Sequence, residues 1–218
     1  MKISQYNLKV EKAARYYSNN PSGNISDFHF VIHGYAQLAS DFLQSFEFLS
    51  DEYTLIVAPE GLSKFYSKNK PAASWMTKED RDNEINDYIN YLSEVLVKIK
   101  TQFDLTSCKK NITGFSQGAH TALRFFTQTD FHFDRLILCS SDFPADADFD
   151  KLTSKLISSE MFYLYGNKDL IINGNTFQKS IALLKNNNIN CSKREFDGGH
   201  IVDKDSILNI LHKKSPAN

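Results

Sequence analysis

Ser116 stands between Gly114 and Gly118 in the run Ile112-Thr113-Gly114-Phe115-Ser116-Gln117-Gly118-Ala119. An apolar, strand-like segment leads into it, and the helix-competent stretch Ala119-His120-Thr121-Ala122-Leu123 follows at once. A serine on such a sharp strand-to-helix turn presents its hydroxyl clear of the backbone, where it can attack a carbonyl carbon. The chain on either side of the serine then approaches so closely that a Cβ at Gly114 or Gly118 would collide. Ala119 is the next smallest choice at a third crowded point. The turn also leaves the N–H of Gln117 at a helix N-terminus, aimed at any oxygen that gains negative charge.

A serine hydroxyl is a weak nucleophile near neutral pH and needs a base, commonly a histidine held by a carboxylate. His200, in Phe196-Asp197-Gly198-Gly199-His200, follows a strand-like run and has glycines that let its loop fold back over a sheet edge. Asp169, in Tyr165-Gly166-Asn167-Lys168-Asp169, follows another strand-like run and is the preferred acid. Asp142, in Ser140-Ser141-Asp142-Phe143-Pro144, competes for that part, with Asp146 and Asp148 nearby; its other reading is a capping or turn aspartate. His33 closes an apolar strand beside Gly34 and reads as structural, its ring fixing the local loop. His120 lies one turn into the helix and reads as packed, whereas His29, His132 and His212 are strand, loop and terminal-helix residues. A second donor to a developing oxyanion is expected from the loop after the first core strand. That loop is His33-Gly34-Tyr35-Ala36, which assigns the donor to the backbone of Tyr35, with Gly34 supplying an unusual backbone conformation.

The elements that must position these groups alternate along the chain. Phe28–His33, Thr54–Ala58, the run into Phe115, Arg135–Cys139, Met161–Tyr165 and Cys191–Phe196 read as strands. Leu38, Phe42, Phe46 and Leu49 predict a helix by their spacing, as do Phe177, Ile181 and Leu184, with a stop at Asn186-Asn187-Asn188. A longer helix is expected from near Thr77, its N-cap, with Ile85, Tyr88, Ile89, Leu92, Leu96 and Ile99 on one face. The elbow helix should bury Ala119, Ala122, Leu123 and Phe126, and a closing helix spans Ser206 to His212. Glu60–Met76 reads as a long polar loop, and Tyr6–Tyr17 as an antiparallel edge strand or hairpin. Apolar strands separated by helices indicate an α/β class with a mostly parallel central sheet flanked by helices. Such sheets bind ligands at the carboxyl ends of their strands, where Ser116 and Tyr35 fall.

The chain of 218 residues fits a single domain, with 41% hydrophobic and 23% charged residues and a net charge of −1. No basic cluster suits nucleic acid or an anionic membrane. No apolar stretch suits a signal peptide or membrane span. Cys108, Cys139 and Cys191 have no metal-type spacing and read as reduced thiols, which points to the cytoplasm. Neither a metal nor an organic cofactor is expected.

Strand-His33-Gly34, Gly114-Phe115-Ser116-Gln117-Gly118-Ala119, Tyr165-Gly166-x-x-Asp169 and Gly198-Gly199-His200, in this order, resemble the phospholipase/carboxylesterase branch of the α/β-hydrolases. That branch includes carboxylesterases and acyl-protein thioesterases. Ala58-Pro59 and Ser74-Trp75 add to the likeness, which covers the chain from about Phe28 onward. The family often has Trp-Phe where this chain has Trp75-Met76, and Val-Pro-like residues where Leu170-Ile171-Ile172-Asn173 follow the acid. The resemblance implies an α/β-hydrolase fold and a Ser116–His200–Asp169 triad with the N–H groups of Tyr35 and Gln117 as oxyanion donors. Ser140–Glu160 is too short for a large cap domain, so the site should be rather open, with Trp75, Phe143 and Ile171 as candidate substrate-binding residues. Hydrolysis of small esters with short to medium acyl chains fits best. A thioesterase is the close alternative, ahead of a peptidase or a non-catalytic binding protein on the same scaffold.

Overall fold

A computed structural model describes residues 1–212. Its centre is a seven-stranded sheet in the spatial order β1-β3-β2-β6-β7-β8-β9. The strands are β1 (Tyr16–Ser18), β2 (Asp27–Ile32), β3 (Thr54–Pro59), β6 (Lys109–Phe115), β7 (Arg135–Cys139), β8 (Glu160–Gly166) and β9 (Ser192–Phe196). All neighbours are parallel except β1, which runs antiparallel to β3 at one edge. Parallel strands need crossovers, and these are helices on both faces. The helices α2 (Arg81–Lys100), α3 (Gln117–Gln128), α4 (Phe149–Lys155) and α5 (Gly174–Asn186) cover one face; α1 (Ala39–Gln44) and α6 (Lys204–Leu211) cover the other. No separate cap domain stands over the sheet among the described residues.

Period-two alternation sorts the central strands between two cores. Phe28, Phe30 and Ile32 of β2 face α2 and α3, while Val31 faces α1. On α3, Ala119, Ala122, Leu123 and Phe126 form the i, i+3, i+4, i+7 stripe, and each is at most 1% exposed. The register then sets the site. Ile32 lies beside Gly114, Phe115 beside Cys139, and Gly166 beside Phe196. The chain leaving each of these strands therefore emerges along one end of the sheet.

Several elements differ from the sequence expectation. The segment after β3 is a β-hairpin of β4 (Ser63–Ser67) and β5 (Lys70–Ser74) rather than a loop. Its two-residue turn places Lys68 and Asn69 at φ 48 and 63, the positive values that match the twist of flanking strands. The helix expected across Leu38–Leu49 is broken: α1 ends at Gln44, the N–H of Ser45 bonds back three residues to Phe42, and a separate 3-10 turn covers Glu47–Leu49. The long helix begins at Arg81, not Thr77. Thr77 lies outside it, its hydroxyl donating to Glu84 at 2.8 Å. Of Tyr6–Tyr17 only Tyr16 and Tyr17 lie in the edge strand, and residues 1–15 are exposed with no regular element. The Ser140–Glu160 stretch contains α4, which the sequence reading did not include.

Two histidines on the β2 line are buried: His29 at 2% and His33, just beyond the strand, at 0% exposure. Burial, reinforced at His29 by the Arg135 cation, pushes each down to about 4. Between about pH 4 and the unfolded value near 6.5, the unfolded chain therefore binds more protons than the folded one. Stability is lost as pH falls through that window, at about 1.4 kcal/mol per pH unit for each histidine. His29 Nδ1 has no hydrogen-bond partner among the described residues. His29→Leu is thus expected to flatten the acid limb of a urea-midpoint-versus-pH curve by about half of this two-histidine contribution. An unchanged slope would show that His29 is protonated in the folded protein.

Candidate active site

β6 runs directly into Ser116, and α3 starts at the next residue. Ser116 has φ 54 and ψ −122, a conformation L-residues rarely adopt unless their surroundings impose it. Those surroundings are tight. A Cβ on Gly118 would lie 2.3 Å from the carbonyl oxygens of both Ile32 and His33, and one on Gly114 would lie 2.4 Å from the Gly118 oxygen. The first turn of α3 is therefore pressed against the ends of β2 and β6. The Ser116 N–H donates to Cys139 O at 2.9 Å, and its carbonyl accepts from Ala119 N at 2.9 Å. Among the described residues, the side chain is left as the part of Ser116 that makes no hydrogen bond.

Asp169 lies on the loop after β8, 4% exposed overall, with a fully buried carboxylate. Its Oδ1 accepts the N–H groups of Ile171 and Ile172 at 2.8 and 2.9 Å; its Oδ2 accepts from His200 Nδ1 at 2.7 Å. Every partner donates to the ionised form, the condition under which a buried carboxylate is tolerated. With Nδ1–H so engaged, the other ring nitrogen of His200 is the one left to take a proton. The loops carrying the two residues are laced together by Asn167 N to Phe196 O (3.0 Å) and Lys168 N to Gly198 O (2.8 Å). Gly166 permits this approach, since a Cβ there would sit 2.5 Å from two carbonyl oxygens of the other loop. The His200 ring packs 4.8 Å from that of Phe115, the neighbour of Ser116.

Asp142 takes a different partner. Its carboxylate and its carbonyl oxygen each lie 2.9 Å from Nε2 of His120 on α3. The hydrogen bond from His120 holds the Asp142 carboxyl below the usual carboxylate range. Two residues earlier, Ser140 is fully buried and left-handed at φ 48. Its N–H donates to Leu164 O at 3.0 Å, and its hydroxyl donates at 3.3 Å to the carbonyl of Ile201, the residue after His200. Nothing in the sequence marks Ser140, because residue type does not reveal a left-handed serine.

In the loop after β2, the Gly34 N–H donates to Gln37 Oε1 at 2.7 Å and the Ala36 N–H to Ala73 O at 2.9 Å. The Tyr35 N–H between them has no acceptor among the described residues. The expectation for Gly34 needs correction: the left-handed residue here is Ala36, at φ 60. What Gly34 supplies is room, since a Cβ would lie 3.2 Å from Ser116 Cβ and 3.1 Å from the Phe115 ring. The Gln117 N–H occupies the first helical position, which has no intrahelical acceptor. The Gln117 side chain is clamped by the chain leaving the hairpin, accepting from Ser74 Oγ (3.2 Å) and Trp75 N (3.1 Å) and donating to Met76 O (3.0 Å). His33 is a neutral brace: Nδ1–H donates to Gly34 O at 2.7 Å and Nε2 accepts from Gly61 N at 2.9 Å.

The three candidate pocket residues fare differently. Trp75 is 1% exposed, and its indole N–H donates to His33 O at 2.8 Å, so it packs beneath the Tyr35 loop instead of opening to a ligand. Phe143, 5% exposed, is packed in the core against Phe149 and Tyr163. Ile171, whose N–H donates to Asp169, is 67% exposed. Among the described residues, no group of three or more His, Cys, Asp or Glu side chains could hold a metal ion, and no helix is long and apolar enough to cross a membrane.

The sequence model of the phospholipase/carboxylesterase family matches residues 30–213. No curated protein matches the sequence. Among solved structures, an acyl-protein thioesterase 2 from Zea mays superposes with a TM-score of 0.71 at 17% identity, over 91% of this chain and 96% of that one. A phospholipase/carboxylesterase from Dyadobacter fermentans gives 0.64 at 18%, over 94% and 97%. A carboxylesterase from Bacillus cereus gives 0.62 at 16%, over 90% and 91%. At such identities the superpositions establish the fold, and the family match supplies the rest: this chain is an α/β-hydrolase and belongs to the phospholipase/carboxylesterase family.

Proposed function

We propose that the chain hydrolyses carboxylic esters of short to medium acyl chains in two acyl-transfer steps. Ser116 Oγ attacks the ester carbonyl as His200 Nε2 takes its proton. The buried Asp169 carboxylate holds the ring in the required tautomer and stabilises its cation. The N–H groups of Tyr35 and Gln117 bind the tetrahedral oxyanion. The alcohol leaves with a proton from His200, and water activated by the same ring then releases the acid and restores Ser116. The observation that carries this reading is the 2.7 Å bond from His200 Nδ1 to a carboxylate with no solvent exposure, on loops that pack against the residue preceding Ser116. A thioester would pass through the same steps with a thiolate as leaving group; the superposition on an acyl-protein thioesterase supports that second reading. Free Cys108, Cys139 and Cys191 suit a reducing cytoplasm.

Turnover of p-nitrophenyl acetate, butyrate and octanoate, with fluorophosphonate labelling, tests the nucleophile. Ser116→Ala is expected to lose label and at least about a thousandfold in kcat; undiminished turnover would refute the assignment. For the acid, Asp169→Asn should lose on the order of a thousandfold or more by fixing the wrong tautomer, whereas Asp142→Asn should stay within about tenfold of wild type. The reverse pattern would move the acid to Asp142.

Ser140 gives a separate expectation. Ser140→Gly removes both the left-handed strain, about 1 kcal/mol or more, and the tie to Ile201. Added freedom in the unfolded chain offsets the relief, so Tm should move by only about 3 °C while kcat on p-nitrophenyl butyrate falls several-fold. Wild-type kcat would show that the tie does not position the His200 loop.

A further inference from the structure

A cavity of about 620 Å³ lies between the loop after β2, α1 and the hairpin tip, apart from the groups already assigned to catalysis. Leu38 and Phe42 give it apolar surface, Gln37 lines it too, and Lys68, Lys70 and Asp41 bring charge to it. Gln37 joins it to the candidate active site. The position a Cβ would take on Gly34 lies 3.0 Å from Gln37 Oε1 and 3.2 Å from Ser116 Cβ, so a single glycine separates the cavity wall from the serine. The outer end is cationic. Lys68 and Lys70 are exposed and take part in no ion pair among the described residues, whereas Lys64 of the same hairpin is paired to Glu60 at 2.8 Å. Asp41, on the α1 side, accepts from the hydroxyl of Ser40 at 3.5 Å and takes part in no ion pair among the described residues.

Strand geometry sets the scale of the hairpin wall. Ala73 holds the Ala36 N–H through its carbonyl, and Lys70 is three residues back along β5, roughly 10 Å at the rise of a strand. We propose that this cavity makes the enzyme selective for esters bearing an anionic group, a carboxylate or phosphate, at the far end of a medium-length chain. The apolar surface takes the intervening chain, and Lys68 and Lys70 take the charge. Asp41 opposes the anion and limits the selectivity. The inference rests on the esterase reading above and specifies its substrate class.

The test compares kcat/KM for p-nitrophenyl hydrogen suberate and p-nitrophenyl octanoate, which match in acyl length and differ in the terminal charge. A second arm uses the butyrate esters of 8-hydroxyoctanoate and of octanol, placing the anion on the leaving group. Wild type should favour the anionic ester of at least one arm by about fivefold to tenfold at low salt, as two surface cations allow. That ratio should shrink as ionic strength rises. Lys68→Gln with Lys70→Gln should bring it towards unity, and Asp41→Asn should raise it. A ratio near one in both arms, with Ser116-dependent turnover of the neutral esters intact, would overturn this inference and leave the esterase reading standing. No Ser116-dependent turnover of any ester would remove both. Lysine-dependent binding to phosphatidylserine vesicles, without selectivity among soluble esters, would make the tip a membrane contact and overturn the proposal.

Discussion

The contact on which the rest of the structure depends is the approach of the first turn of α3 to the end of β2. With 2.3 Å between a hypothetical Cβ on Gly118 and two carbonyl oxygens, no side chain other than hydrogen can be accommodated there without moving backbone. This contact fixes the direction in which α3 leaves β6, and hence the left-handed geometry of Ser116 between them. It also sets the Tyr35 loop beside the serine, because the oxygens that crowd Gly118 belong to Ile32 and His33. The His33 ring and the Trp75 indole then brace that loop from beneath. The serine, the Gln117 amide and the Tyr35 amide therefore share one mechanical origin.

The opposite side of the site is organised by electrostatics more than by sterics. A carboxylate without solvent exposure must be matched by donors, and Asp169 has three: two backbone N–H groups of its own loop and the ring of His200. Its loop makes backbone hydrogen bonds to the loop that carries His200, so Asp169 and His200 are held as one unit by the fold itself. Ser140 ties the same unit to the end of β7 through Ile201. Asp142, the second choice from the sequence, is satisfied by His120 on α3, which separates it from the His200 unit.

Much of this was legible in the chain because backbone geometry constrains residue type at a few points. Gly114, Ser116 and Gly118 announce the elbow, and apolar runs separated by amphipathic ones announce the parallel sheet. The positions of Asp169 and His200 at strand ends follow once the strands are placed. The hairpin was not legible because its strands are short and largely polar, and its turn uses Lys68-Asn69 without a glycine. Ala36 and Ser140 were invisible for a related reason, since their left-handed conformations are imposed by tertiary packing. Trp75 shows the limit for side chains. An aromatic residue next to a loop can face either way, and here the carbonyl of His33 decides.

The order of the sheet has a consequence for how the chain reaches its working state. His33, Ser116, Asp169 and His200 are far apart in sequence and meet only because β2, β6, β8 and β9 lie in one register-matched sheet. Each parallel pairing closes a long loop before it yields any contact, which slows folding relative to locally wired proteins. The His200 loop, contributed by the last strand, is also the last part of the site to leave the ribosome. The segment that carries His200 therefore joins the sheet only after the elements that carry Ser116 and Asp169 have been made.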